Sequence, residues 1–186
     1  FVPSIRQTDK SKQCICIGHH HRDLVTLAEV ARIVKEQDPT IRFLLIDRVF
    51  YTYFTPEEQS RILQAFSANI EIKADISDQE LVHLYQSSDL MVLPLLDTTG
   101  NLAVLEAISC GLPIVVSDVG GIRDYLDSSC ASFAAPKDAK TMANHVLQLL
   151  QNPKGREELS EGCRKKALSF DWHRIAEQMK ELYESI

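Results

Sequence analysis

Short apolar runs alternate along this chain with longer stretches of helical period. The apolar runs fall at 14–17, 41–46, 69–72, 90–93 and 113–116, with a weaker one at 130–133. The amphipathic stretches fall at 23–36, 56–66, 78–87, 102–110, 137–150, 155–169 and 172–186. The segment LLIDRVFYTYF (44–54) fits either a continued strand or a loop. Strands that are apolar on both faces, each followed by a helical stretch, indicate a parallel sheet covered on both sides. Their connections are right-handed crossovers. The predicted fold is α/β: a doubly wound, Rossmann-like parallel sheet with helices on both faces. No internal repeat or low-complexity stretch interrupts it.

The chain divides into a lead-in linker (1–12), one domain (13–169) and a C-terminal helix (170–186). In that last segment Asp171 is placed to cap the helix, and Ile175, Met179 and Leu182 form an apolar stripe. The stripe suits packing on this domain or crossing to a partner domain. The lead-in FVPSIRQTDKSKQ lacks an initial Met, so the chain is expected to be a piece of a longer protein.

In doubly wound sheets, ligands bind outside the carboxyl ends of the strands. That rule selects five segments: GHHHRD (18–23), IDR (46–48), KADISD (73–78), PLLDTTGN (94–101) and SDVGGIRD (117–124). The fourth opens a helix that is apolar on nearly every face and carries one carboxylate, Glu106. Asn101, or Thr99 before it, is placed to cap this helix. A helix N-terminus at the end of a parallel strand offers unpaired N–H groups and a positive dipole end, which suits an anion. Gly100 lets a phosphate approach the backbone. A capped helix with no ligand is the alternative.

Glu106 has Leu102, Ala103, Ser109 and Cys110 as its neighbours along the helix, so it is expected to be buried. A buried, ionised carboxylate costs several kcal/mol unless hydrogen-bonded. It lies roughly 7 Å past Asn101 at ~1.5 Å per residue, about the span from a nucleotide's phosphates to its ribose. A cis-diol could donate two hydrogen bonds to it, and a core Arg or buried backbone group could serve instead. At the end of the first strand, Gly18 permits close approach of a phosphate, and Arg22 could meet it bidentately. His19, His20 and His21 diverge on one turn, and no further ligand completes a metal set, so no metal is expected. One of the three is expected to face a ligand as a donor. Gly120 and Gly121 read as a tight turn, with Ser117 and Asp118 at a strand end.

Composition narrows the partners. The 186 residues suit one domain, with 45% hydrophobic and 25% charged residues. A formal charge of -6 argues against a nucleic-acid partner, which requires a basic surface. No apolar run approaches the ~20 residues of a membrane span, and no signal peptide is read. Five cysteines, odd in number and without a C-x-x-C pair, read as buried reduced thiols. The expected location is cytoplasmic, with a peripheral place at a membrane surface left open.

The run SDLMVLPLLDTTGNLAVLEAISCGLPIVVSDVGGIRDYL (88–126) resembles the donor-nucleotide half of group 1 glycosyltransferases of the GT-B fold. ADISDQELVHLYQSSDLMVLP (74–94) resembles the stretch before that family's signature helix, and FDWHRIAEQMKELYESI (170–186) its final helix. The resemblance covers nearly the whole chain from Gln13 onward. It implies one half of a GT-B fold that binds a nucleoside-diphosphate sugar, with no cofactor and no metal. Retaining transfer to an acceptor would then need an N-terminal domain of the same full-length chain. By this resemblance Glu106 binds the ribose, and amides near Asn101 and Leu102 hold the diphosphate. Ala74 to Ile76 grip the base through backbone, and Gly18, Ser117, Gly120 and Gly121 match family positions. The family's other glutamate would fall at Thr98. Asp97 is a substitute for it, or else Thr99 and the backbone serve.

The family's Arg and Lys after the first strand are also absent. His19 takes the place of the Arg, and Arg22 is offered for the Lys. No nucleophile is visible, so no catalytic residue is assigned; Asp97 and Thr98 are placed near the donor sugar. The chain alone is expected to bind nucleotide and to transfer slowly or not at all. Thr98 and the missing basic pair favour an alternative, a non-catalytic glycosyltransferase-like binding or scaffold module. A third reading, a sugar-nucleotide epimerase of related fold, lacks an acid/base pair.

Overall fold

The computed structural model describes residues 1–3, 11–67 and 69–185. Its centre is a six-stranded sheet of β1 (Gln13–Ile17), β2 (Arg42–Ile46), β3 (Ile70–Lys73), β4 (Leu90–Leu93), β5 (Ile114–Ser117) and β6 (Ala131–Ala134). The order is β3-β2-β1-β4-β5-β6, and every pairing is parallel. This is the doubly wound order, which reverses direction between β1 and β4. Every residue of β4 and β5 is buried, so both faces of the sheet are covered. The predicted α/β fold is the observed one. Several predicted strand limits move by one residue, because the register against the neighbouring strand sets where each ladder starts: Ile70 pairs with Phe43 and Lys73 with Ile46.

The helices are α1 (Leu24–Gln37), α2 (Phe50–Tyr53), α3 (Pro56–Phe66), α4 (Asp78–Ser87), α5 (Leu102–Ser109), α6 (Ile122–Tyr125), α7 (Ala139–Gln151), α8 (Pro153–Leu168) and α9 (Trp172–Glu184). Side-chain caps start most of them. Asp23, Ser77, Asn101, Asp138 and Asn152 each accept an N–H from the first turn, and Thr55 with Glu58 forms a full capping box. The ambiguous segment 44–54 resolves into the end of β2, a turn and the one-turn helix α2. All five cysteines are buried and unbridged.

Asp171 caps α9 as predicted, yet none of the helix's described residues is buried, and Met179, Leu182 and Trp172 lie exposed. Within the predicted lead-in, residues 4–10 lie outside the described residues, while the Phe1 ring packs edge-on against Tyr85 at 5.6 Å. Residue 186 of the predicted last helix also lies outside them. Among the described residues no helix is long and apolar enough to cross a membrane.

The fit of α8 against the rest gives a direct check. Gly162 sits where an added Cβ would land on the Ser129 carbonyl. Alanine is favoured over glycine in a helix by about 1 kcal/mol, but overpacking against backbone costs about 1–3 kcal/mol. Gly162→Ala is therefore expected to lower the urea midpoint at unchanged slope; a midpoint equal to or above wild type contradicts this packing.

Candidate functional site

The ladder between β1 and β4 is short, pairing only Cys14 with Leu90 and Ile15 with Met91. The strand order reverses between these two neighbours, which places the crevice of a doubly wound sheet at their carboxyl ends. Two loops cross it. After β1, Gly18 adopts φ +76, a conformation that glycine reaches without penalty, and its N–H donates to the Ile46 carbonyl at 2.8 Å. The following turn is closed by the Arg22 N–H on the His19 carbonyl at 3.0 Å. It is then tied to the loop after β4: Asp23 N–H donates to the Pro94 carbonyl at 3.0 Å, and Leu96 N–H to the His21 carbonyl at 2.9 Å.

Arg22 is folded back into this junction. Its Nε donates to the Ile17 carbonyl at 2.9 Å, Nη1 to the His20 carbonyl at 3.0 Å, and Nη2 reaches Asn101 Oδ1 at 3.5 Å. Burial pulls its pKa below the usual guanidinium value, opposed by Cys16, Tyr85 and Asp47. A guanidinium stays charged in proteins at neutral pH, so a partly desolvated cation stands at the mouth of α5.

Asn101, and not Thr99, caps that helix. Its Oδ1 accepts the Val104 N–H at 3.3 Å, and the residue is buried. The amides of Leu102 and Ala103 begin the helix and have no carbonyl four residues back to bind. A cavity of about 320 Å³ lies before them. Its lining joins the predicted Gly18, His19, Arg22, Asp97, Thr98, Thr99, Gly100, Asn101 and Leu102 with His20, His21, Asp47 and Ala103.

The far wall is built by close packing. Thr98 is buried, and its carbonyl accepts the Gly121 N–H at 2.9 Å. Gly120 adopts φ +55, and a Cβ there would strike the Thr98 carbonyl. Asp97 is exposed, and its Oδ1 accepts the Thr98 N–H at 2.8 Å. Behind, Ser117 Oγ accepts the Leu95 N–H at 3.0 Å. Ser117, Gly120 and Gly121 thus shape the wall without lining the cavity.

Other predicted residues are placed differently. Glu106 is half-buried rather than buried, because α5 turns only Val104, Ala107 and Ile108 fully inward and leaves Leu102 70% exposed. Glu106 lies outside the cavity lining. Its Oε2 accepts the Tyr85 hydroxyl proton at 2.8 Å, so a phenol is its protein partner, not an Arg. Burial raises the carboxyl pKa, with the Tyr85 hydrogen bond and Arg48 opposing. Ala74 and Ile76 also lie outside the lining: Ile76 is buried and Ala74 half-buried, with Asp75 between them at φ 48.

Sequence reasoning missed Tyr85, whose helical position reads as ordinary core, and the pairing of His19 with Asp47. His19 Nδ1 lies 2.7 Å from Asp47 Oδ2, and Asp47 is 3% exposed. The Tyr53 ring covers the imidazole at a centroid distance of 3.9 Å. The signal for this pair was the placing of both residues at the ends of adjacent strands. Among the described residues no three metal-ligating side chains stand together.

Known proteins share sequence and architecture with this chain. It is 30% identical over 106 residues to a D-inositol 3-phosphate glycosyltransferase of Saccharomonospora viridis, which is 56% of this chain and 25% of that protein. Sucrose-phosphate synthase of Thermosynechococcus elongatus superposes with a TM-score of 0.78 at 23% identity, over 96% of this chain and 46% of that one. A TarM mutant of S. aureus, in complex with fondaparinux, alpha-GlcNAc-glycerol and UDP, superposes with a TM-score of 0.79 at 19% identity, over 98% of this chain and 37% of that one. The chain therefore spans less than half the length of these relatives. The model of the family "Glycosyl transferases group 1" matches residues 5–166, and the chain belongs to that family.

Proposed function

We propose that this chain is the donor-binding half of a retaining glycosyltransferase, and that it holds a nucleoside-diphosphate sugar in the crevice between β1 and β4. The observation that carries the reading is the convergence of Arg22, His19 and the first amides of α5 on one cavity at the carboxyl ends of two strands. In this reading the diphosphate lies against the Leu102 and Ala103 amides, where the helix dipole adds positive potential. As the bond to the sugar breaks, negative charge grows on the leaving diphosphate, and fixed donors stabilise it without reorganisation. Counter-charge comes from Arg22 and the helix, so the reading calls for no metal or other cofactor.

Glu106 takes the ribose. Tyr85 occupies Oε2, which directs the remaining acceptor capacity toward a cis-diol. The segment Ala74–Ile76 takes the base by its backbone. Asp97 is the carboxylate that faces the donor sugar, since it lies exposed at the cavity while Thr98 is buried. The acceptor sits on an N-terminal domain of a longer, cytoplasmic protein, as suits a chain that spans 25% of its D-inositol 3-phosphate glycosyltransferase relative. The UDP bound to the TarM mutant supports a nucleotide ligand. A second reading rests on the burial of Thr98: a module that binds nucleotide without transferring sugar.

Calorimetry with UDP-, GDP- and ADP-sugars is expected to find one that binds. Arg22→Ala should weaken it by about 10–100-fold, the equivalent of a charged hydrogen bond worth ~1.5–3 kcal/mol. Glu106→Ala should weaken the nucleotide sugar about tenfold and leave inorganic pyrophosphate, which has no ribose, no weaker. If no nucleotide sugar binds, or if both variants bind as wild type does, the donor-site reading fails.

In the full-length protein, Asp97→Asn keeps the hydrogen bond to the Thr98 amide and removes the charge. Turnover should fall about 10²-fold, as on loss of a transition-state electrostatic contact, at unchanged donor affinity. Unchanged turnover removes Asp97 from the reaction. A full-length wild type that binds donor and transfers nothing supports the second reading.

A further inference from the structure

His19 differs from the other two histidines of its turn. His20 and His21 are exposed and lie ring against ring at 4.1 Å. The His19 side chain is only 13% exposed, and it is fixed on three sides. Asp47 Oδ2 takes Nδ1 at 2.7 Å, the Tyr53 ring covers one face, and the Phe54 ring stands edge-on at 5.4 Å. Asp47 is itself held, because its Oδ1 accepts the Val49 N–H at 3.2 Å and its own N–H donates to the Lys73 carbonyl at 3.0 Å. With Nδ1–H committed to the carboxylate, Nε2 is the one ring nitrogen left for a ligand. His19 and Asp47 both line the cavity that Arg22 and the first turn of α5 share.

Resting on the donor-site reading above, we infer that the His19–Asp47 pair is a proton-loaded cation site for the donor's diphosphate, so that each nucleotide sugar bound carries up to one proton onto His19. Imidazole is the side chain whose charge changes around neutral pH. A neighbouring carboxylate favours the charged ring, and desolvation disfavours it. A dianion brought against the same cavity adds a second negative partner with no new cation, and this tips the ring to imidazolium. Its Nε2–H then donates to a phosphate oxygen.

The other groups that face this ring set its background. From the segment after β2 they are Asp47 and Tyr53; from its own turn, His20, His21 and Arg22; and across the cavity, Asp97. Among them only His19 has a buried carboxylate on its ring to hold a proton once gained.

By linkage, donor affinity falls as pH rises wherever the complex holds the proton and the empty site does not, with a limit of tenfold per pH unit. Nucleotide sugars are the proper probe, since both phosphates are esterified and neither titrates there. The chain is titrated with the nucleotide sugar that binds, from pH 6 to 9, in buffers of differing ionisation heat. The expected result is a buffer-dependent enthalpy that reports uptake of up to one proton. His19→Gln should abolish the uptake, and Asp47→Asn should shrink it. His19→Arg should bind with an affinity flat across this pH range. Binding without uptake at any pH, or uptake that persists in His19→Gln, overturns this inference alone. A complete lack of binding overturns it together with the donor-site reading.

Discussion

The site depends on backbone hydrogen bonds at the point where the strand order reverses. β1 and β4 are neighbours there, and ligands of doubly wound sheets bind outside such strand ends. The hydrogen bonds run from Asp23 to Pro94 and from Leu96 to His21, and they bind the loop after β1 to the loop after β4. Because the ties are main-chain, they fix the positions of the loops, and residues 18–22 and 97–103 line the cavity. Gly18 bends the backbone at positive φ as the chain leaves β1, and Gly120 does so in the loop after β5, where no Cβ fits over Thr98.

Charge follows from this geometry. The sheet directs the first turn of α5 to the same place as the Arg22 guanidinium, which is held there on the Ile17 and His20 carbonyls. Positive potential in a partly desolvated cavity is strong and fixed, which suits an anion and needs no rearrangement on binding. The acidic residues nearby are each engaged. Asp47 holds His19, Asp97 holds the Thr98 amide, and Glu106 accepts from Tyr85. The net charge of the whole chain, -6, does not describe this site.

The fold was legible because its strands are apolar on both faces and its helices carry capping residues at their starts. The exceptions have local causes. Helices α2 and α6 have four residues each, too few to show a period. The site was legible wherever one strand end carries the chemistry, as with Gly18, Arg22 and Asn101. It was illegible where two distant segments make it together. Tyr85 and Glu106 are 21 residues apart, and a tyrosine on a buried helix face reads as packing until its hydroxyl is seen on a carboxylate. His19 and Asp47 are 28 apart, and no local pattern pairs them. Leu102 shows the converse failure, because an apolar residue at the open end of a helix reads as core in a one-dimensional pattern.

Hydrogen–deuterium exchange of the chain, with and without a bound nucleotide sugar, tests the central claim most directly, because it reads the backbone that is proposed to hold the diphosphate. The account predicts slowed exchange at the amides of 18–22 and 99–103, with the rest of α5 and the central strands unchanged. Slowed exchange confined to any other part of the sheet, with those two loops unaffected by a ligand that binds, would contradict it.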